Sequence, residues 1–240
     1  VQVKRVTILG AGQMGSGAAA VFGQEVPVFL LNRAPISKAQ AGLEVAVNMA
    51  RSNSLHFSIS PGTFEDDLEH CVQESDLILD TLGEDPALKA RYFKLVDQYR
   101  RPGTIVATGS SGLSVAGLSQ GLSPDFRNHF LGIHFFNPPT RLTAVELVPG
   151  HATLPDVMEY TARLMEKTFR RAVVYARDMP GYAGNRVGFK VLNEVAQMVP
   201  QYGVAMLDYM FGSYTGRLLP PLATIDLVGW DVHKVLVSNI

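Results

Sequence analysis

The stretch "RVTILGAGQMGSGAAAVFG", Arg5 to Gly23, limits the fold of this chain more than any other. Val6 to Leu9 is a short apolar strand, and Gly10-Ala11-Gly12-Gln13-Met14-Gly15 follows without a spacer. The small residues Ser16 to Ala20 suit a helix packed closely on a sheet, and "VPVFLL", Val26 to Leu31, reads as a second buried strand. Each glycine has its own physical duty. Gly10 permits the tight turn, Gly12 lets a pyrophosphate approach the backbone, and Gly15 lets helix and strand pack closely. The helix start then offers unpaired N–H groups and a partial positive charge to the phosphates. A glycine triplet alone is a weak signal, but here a strand precedes it and a helix follows, which is the context a dinucleotide site requires. The expected contact residues are Gly10, Ala11, Gly12, Gln13, Met14 and Gly15. The second strand ends in Asn32-Arg33, where an acidic residue usually accepts from the adenosine ribose hydroxyls. Asn32 can still bond a ribose, more weakly, and a guanidinium at Arg33 suits a 2′-phosphate.

Beyond this unit, apolar strands and helices alternate. "ISKAQAGLEVAVNMARS" has helical length with Pro35 as its first residue, and "LHFSIS" is a short strand closed by Pro61-Gly62. "EDDLEHCV" reads as a helix, "SDLILDTL" as a buried strand and "DPALKARYFKLVDQYR" as a helix. "TIVATGSS", "FLGIHFF", "TAVELV" and "RAVVYA" are further strands, with "LPDVMEYTARLMEKTF" a helix before the last of them. Such alternation predicts an α/β, Rossmann-type, mainly parallel sheet covered by helices on both faces. From Ala183 to Asn239 the spacing is helical throughout, so a boundary near Met179 divides residues 1–178 from a smaller all-helical C-terminal domain over 179–240.

Composition narrows the partners. Twenty-one Lys and Arg against 22 Asp and Glu give a net charge of −1 with no basic stripe, which argues against nucleic acid. The single Cys71 rules out an internal disulfide, and no Cys/His cluster has metal-ligand spacing. No apolar run reaches the ~20 residues of a membrane helix. The expectation is a reduced, cytoplasmic protein without a metal, although the chain does not begin with Met.

The segment "LGIHFFNPPTRLTAVELVPG", 131 to 150, places one histidine, His134, and one carboxylate, Glu146, in apolar strand-like surroundings. Asn137-Pro138-Pro139 cannot continue a strand, because proline lacks the N–H and fixes φ. A reversal about Thr140 leaves His134 and Glu146 each six residues from the pivot, as cross-strand neighbours. A carboxylate beside an imidazole fixes its tautomer and stabilises the imidazolium once it takes a proton, which suits a general base. The spacing is equally compatible with a structural histidine at a strand end.

Taken together, "GAGQMGSG", "TIVATGSSGLSV", "GIHFFNPP" with "VELV", and "DMPGYAGNR" resemble the L-3-hydroxyacyl-CoA dehydrogenase family, above all the dehydrogenase part of bacterial multifunctional fatty-acid oxidation enzymes. The resemblance runs in order along nearly the whole chain. It implies an eight-stranded, mostly parallel NAD-binding domain and a helical C-terminal domain that commonly forms a homodimer, in a chain that can also be part of a longer multidomain protein. It implies NAD as cofactor, with 3-hydroxyacyl-CoA and 3-oxoacyl-CoA as substrate and product in fatty-acid β-oxidation. By this resemblance His134 matches the catalytic histidine, Glu146 its carboxylate partner, Ser111 the serine near substrate and cofactor, and Asn185 the asparagine that holds the acyl group. Glu84, Lys89 and Asn137 match cofactor-contacting positions, Asn137 beside the nicotinamide.

Four features depart from the pattern. Thr108-Gly109-Ser110-Ser111 stands where the family usually has Ser-Asn-Thr-Ser, and Asp80 stands where Glu is more usual. Ala46 and Asn53 fall where CoA contacts are expected, with Lys38 and Arg51 as substitutes, and the helical domain is short. Two competing readings are an NADP-linked β-hydroxyacid dehydrogenase, which usually has a lysine base, and a dinucleotide-binding module that has lost catalysis.

Overall fold

The computed structural model describes residues 2–50, 57–212, 215–216 and 219–239. Two compact units divide the chain, Val1–Asp178 and Met179–Ile240. The first is built on an eight-stranded sheet of order β3-β2-β1-β4-β5-β6-β7-β8. Its strands are β1 (Val6–Leu9), β2 (Val28–Asn32), β3 (Ile59–Thr63), β4 (Leu77–Asp80), β5 (Ile105–Thr108), β6 (Phe130–Phe135), β7 (Ala144–Pro149) and β8 (Ala172–Tyr175). Its helices are α1 (Gln13–Phe22), α2 (Ser37–Ala50), α3 (Leu68–Glu74), α4 (Pro86–Tyr99), α5 (Val115–Leu118), α6 (Pro124–Asn128) and α7 (Pro155–Arg163). Strands β1 to β6 run parallel, β7 turns antiparallel to β6, and β8 follows β7 in parallel.

Every residue of β1, β4, β5 and β6 is buried. That is why these strands read as continuous apolar runs: a parallel strand covered on both faces has no polar side to alternate with. Helix α1 lies close to the sheet because its residues are small, and Gly15 is the tightest point. A Cβ there would sit 1.9 Å from the Gly10 carbonyl oxygen, so no other residue fits without moving the backbone.

Three boundaries differ from the sequence reading. Strand β3 runs through Pro61-Gly62, which were expected to end it, while Leu55 and His56 lie outside the described residues. The reason is position: β3 is the sheet edge and pairs only with β2, so a missing N–H is tolerated. Helix α2 begins at Ser37 rather than Pro35, and Arg51, Ser52 and Asn53 lie outside the described residues. The single helix expected over Leu154 to Phe169 is α7 followed by a wider π turn, Leu164–Thr168. The short helices α5 and α6, capped by Ser114 and Ser123, carry too few residues to show a period.

The second unit holds α8 (Gly184–Gln197), α9 (Val199–Tyr202), α10 (Val204–Met210), α11 (Pro221–Val228) and α12 (Trp230–Asn239), with no strand among its described residues. Phe189, Leu192, Val195, Leu207, Leu222 and Ile225 form its core. Asp208 ties two helices, accepting from the Leu222 and Ala223 N–H groups at 2.8 and 3.2 Å.

Within the first unit, β4 ends in a charge that the sheet covers completely. Lys89 Nζ donates to Asp80 Oδ2 at 2.7 Å and to the Leu82 carbonyl at 3.0 Å, and both charged side chains are 0% exposed. Thr108 Oγ1, at the end of β5, donates to the same Asp80 oxygen at 2.8 Å. Burial is the largest influence on the Asp80 carboxyl and pushes its pKa up, with Lys89 and Thr108 opposing. Breaking such a pair strands a buried charge, whereas replacing both partners does not. We predict that Lys89→Met lowers stability by about 3–5 kcal/mol in urea unfolding, and that Asp80→Leu added to it recovers most of the loss. A double variant no more stable than the single one would refute this account of the pair.

Candidate active site

The first part of the site follows β1. Gly10 has φ +108°, a conformation that glycine adopts without strain, and its N–H donates to the Leu31 carbonyl at 2.8 Å. Thr81 Oγ1 donates to the Leu9 and Gly10 carbonyls at 3.1 and 3.0 Å and so pins the turn from the neighbouring strand end. Gly12 caps α1 with no side-chain hydrogen bond, and a Cβ at Gly12 would meet nothing within 4 Å. The protein itself therefore does not demand a bare backbone at Gly12. Open space over the uncapped start of a helix fits a pyrophosphate drawn close to those N–H groups. The residues present fit a dinucleotide.

The second part follows β4, β5 and β6, whose carboxyl ends lie beside that of β1. Strands β6 and β7 pair with His134 directly opposite Glu146, the register expected from a pivot at Thr140. Glu146 Oε2 lies 2.7 Å from His134 Nδ1, and Ser111 Oγ lies 2.8 Å from Nε2. His134 and Glu146 are buried, at 4% and 1% exposure, so water screens neither. An ionised Glu146 accepts only, which puts the ring proton on Nδ1 and leaves Nε2 as an acceptor facing Ser111.

Ser111 is positioned by a second carboxylate. Glu84, from the loop after β4, accepts from the Ser111 N–H through Oε1 at 2.6 Å and from the Ser110 hydroxyl through Oε2. Thr108 Oγ1 also accepts from the Ser110 N–H at 3.2 Å. These bonds hold the loop that lacks the family's asparagine. Gly109 donates its N–H to the Asp80 carbonyl at 2.7 Å, and a Cβ at Gly109 would approach that oxygen to 3.1 Å. Just beyond, Asp178 accepts from Ser114 Oγ and from the Val115 and Ala116 N–H groups, each at 2.8 Å, and so caps α5 from the far end of the unit.

The remaining candidates are placed as follows. Asn137 is exposed in the β6–β7 reversal, which is packed on α1: a Cβ at Gly17 would lie 2.8 Å from Pro139 Cδ. Arg171 Nη1 donates to the Pro139 carbonyl at 2.9 Å from the other side. Asn32 ends β2 and is half-buried, with Oδ1 accepting from the Arg33 N–H at 2.9 Å. Lys89 departs from its expected place beside a cofactor, because its ammonium is fully buried and holds Asp80. Asn185 opens α8 in the second unit. Sequence reasoning missed Thr81, Ser110 and Asp178, whose partners are distant in the chain and leave no local pattern.

A serine, histidine and glutamate in line also describe an acyl-transfer triad. Such chemistry needs backbone N–H donors free for an oxyanion, and the nucleophile's own N–H is one usual donor. Here Glu84 occupies the Ser111 N–H. Among the described residues no group of three or more His, Cys, Asp or Glu could hold a metal ion. What the arrangement can do is accept a proton at Nε2 beside a dinucleotide loop, which is the equipment of a dehydrogenase of Rossmann type.

The chain belongs to the 3-hydroxyacyl-CoA dehydrogenase family: residues 5–179 match its NAD binding domain. A probable 3-hydroxyacyl-CoA dehydrogenase of Bacillus subtilis (strain 168) is 34% identical over 99% of this chain, which spans only 34% of that protein. One from Deinococcus radiodurans is 30% identical over 100% of this chain and 73% of its own length. Among solved structures, that of FadB2 from M. tuberculosis superposes with a TM-score of 0.87 at 25% identity, covering 100% of this chain and 87% of the other.

A hydrogen bond to a charged group contributes about 1.5–3 kcal/mol. We predict that Glu84→Gln speeds amide hydrogen exchange at Ser111 by about 10–100-fold while leaving β5 protected. An unchanged exchange rate at Ser111 would remove Glu84 from this role.

Proposed function

We propose that this chain carries the NAD-dependent oxidation of (S)-3-hydroxyacyl-CoA to 3-oxoacyl-CoA, as in fatty-acid β-oxidation. The observation that carries the reading is the hydrogen-bonded line from half-buried Ser111 to buried His134 and Glu146 at the strand ends beside the glycine loop. His134 Nε2 takes the proton of the substrate's C3 hydroxyl. Glu146 holds Nδ1–H and stabilises the imidazolium that results. Ser111 Oγ positions the C3 oxygen, and Asn185 contributes to holding the acyl group. NAD, when bound at the Gly10 to Gly15 loop with Glu84 and Asn137 among its contacts, supplies the acceptor for the C3 hydride.

Against an NADP-linked enzyme with a lysine base stands the histidine–carboxylate pair at the place of the base. Against an inactive module stands the intact line of three side chains in hydrogen-bonding distance. A cytoplasmic setting accords with the single Cys71, buried and unpaired. Among the described residues no helix is long and apolar enough to cross a membrane.

The test is NADH formation with (S)-3-hydroxybutyryl-CoA, together with the reverse reaction on acetoacetyl-CoA. We predict that His134→Gln lowers kcat by about 10²–10⁴-fold with a much smaller effect on NAD affinity. Near-normal turnover in that variant would sink the mechanism.

The domain division proposed is an NAD-binding domain over 1–178 and a helical dimerisation and substrate domain over 179–240. The helical unit leaves Val187, Met206, Tyr209, Leu227 and Trp230 more than half exposed, a large apolar surface for so small a core. We predict a homodimer that covers this surface. Light scattering that shows a monomer down to the lowest workable concentration would count against it.

A further inference from the structure

The corner where β2 and β3 end takes no part in the Ser111–His134–Glu146 line. Asn32 stands there at the position from which an acidic side chain normally takes the adenosine ribose hydroxyls. Its Oδ1 accepts from the Arg33 N–H at 2.9 Å, which takes up one of the amide oxygen's two lone pairs. Asn32 supplies no negative charge.

A carboxylate does stand at this corner, and it comes from the neighbouring strand. Asn32 and Thr63 are register partners at the ends of β2 and β3, and the Phe64 N–H donates to the Asn32 carbonyl at 2.9 Å. Glu65 follows at once. Its Oε2 accepts from the Ala34 N–H at 2.9 Å, two residues past Asn32, which carries the carboxylate across to the end of β2. A neutral backbone donor leaves that charge intact, and Glu65 is solvent-exposed. Behind it Tyr92 is buried and its ring lies 4.6 Å from that of Phe64, which gives the corner a fixed wall. Arg91 Cζ lies 5.7 Å from the centre of the Tyr92 ring, Arg33 directly follows Asn32, and Lys38 Nζ donates to the Ala34 carbonyl at 2.9 Å, so cations border the same corner.

We propose that Glu65 is the specificity-determining acid of the dinucleotide site: from the end of β3 it replaces the charge that Asn32 lacks, accepting from the adenosine ribose of NAD and repelling the 2′-phosphate of NADP. The proposal rests on the NAD reading of the glycine loop. Its physical content is a balance. Arg33 and Arg91 would attract a 2′-phosphate, and Glu65 opposes them, while Asp66 and Asp67 are engaged by the Thr63 hydroxyl and N–H. Discrimination against NADP therefore depends on the Glu65 charge, and removing it should tighten NADP while loosening NAD.

The experiment is direct binding of NADH and NADPH to the purified chain, by nicotinamide fluorescence and by calorimetry. Wild type is expected to bind NADH more tightly. Glu65→Gln keeps an oxygen for the Ala34 N–H and loses the charge. It should tighten NADPH by about tenfold and weaken NADH by up to about tenfold, because the amide nitrogen that replaces the second oxygen cannot accept from the ribose. Glu65→Asp, which keeps the charge, should still bind NADPH poorly. Adding Asn32→Asp to Glu65→Gln should restore the wild-type preference, a rescue that mere repair of a loop would not produce. Unchanged NADPH affinity in Glu65→Gln, or equal weakening of both dinucleotides, would overturn the proposal. Failure of wild type to bind either dinucleotide would instead refute the reading of the glycine loop, and the proposal would fall with it.

Discussion

The sheet buries the Asp80–Lys89 ion pair, and the edge of the first unit that carries Ser111 and His134 is arranged around keeping that pair satisfied. Asp80 closes β4 next to β1, where an apolar residue would cost nothing in desolvation. Its oxygen is met by Lys89 from α4 and by Thr108 from β5, so three elements are fixed relative to one another by one group. From Thr108 the order passes on: its hydroxyl accepts from the Ser110 N–H, and Ser110 and Ser111 are clasped by Glu84. A buried pair of this kind need not add net stability. What it fixes is the geometry of the loop that delivers Ser111 to His134.

This arrangement also accounts for the altered serine loop. An asparagine at position 109 would offer its own side chain to order the turn, and glycine offers none. With glycine, the backbone comes within 2.7 Å of the Asp80 carbonyl and leaves little clearance for a Cβ. The loop is then ordered from outside, by Glu84 on one flank and by Asp178 through α5 on the other. The substitution moves the ordering groups from within the loop to its neighbours.

Much of the fold was legible because its signals are local. The glycine loop lies within one strand–turn–helix unit, and the apolar strands announce their own burial. The pairing of His134 with Glu146 was legible for the same reason: two prolines mark the pivot, and a strand period of two determines which side chains meet. What escaped were interactions spanning many residues. Lys89 matches a cofactor contact by resemblance, and only the fold shows that its side chain turns inward to Asp80. Pro61 reads as a strand end, and only the sheet order shows that β3 is an edge strand where proline is tolerated.

Glu65 extends that lesson to ligand selection. In a parallel sheet, neighbouring strands end side by side, so a charge needed at the end of one can be supplied from the end of the next. Asn32 and Thr63 are paired, and two residues beyond Thr63 a carboxylate reaches the backbone two residues beyond Asn32. A single-position motif, acidic or not at the end of β2, reads this site as lacking its acid. The physical requirement is only that a negative charge stand within reach of the ribose, and it does not specify which strand must bring it. The sign and placement of charge at the paired strand ends, rather than the identity of residue 32 alone, is the quantity that governs which dinucleotide the loop accepts.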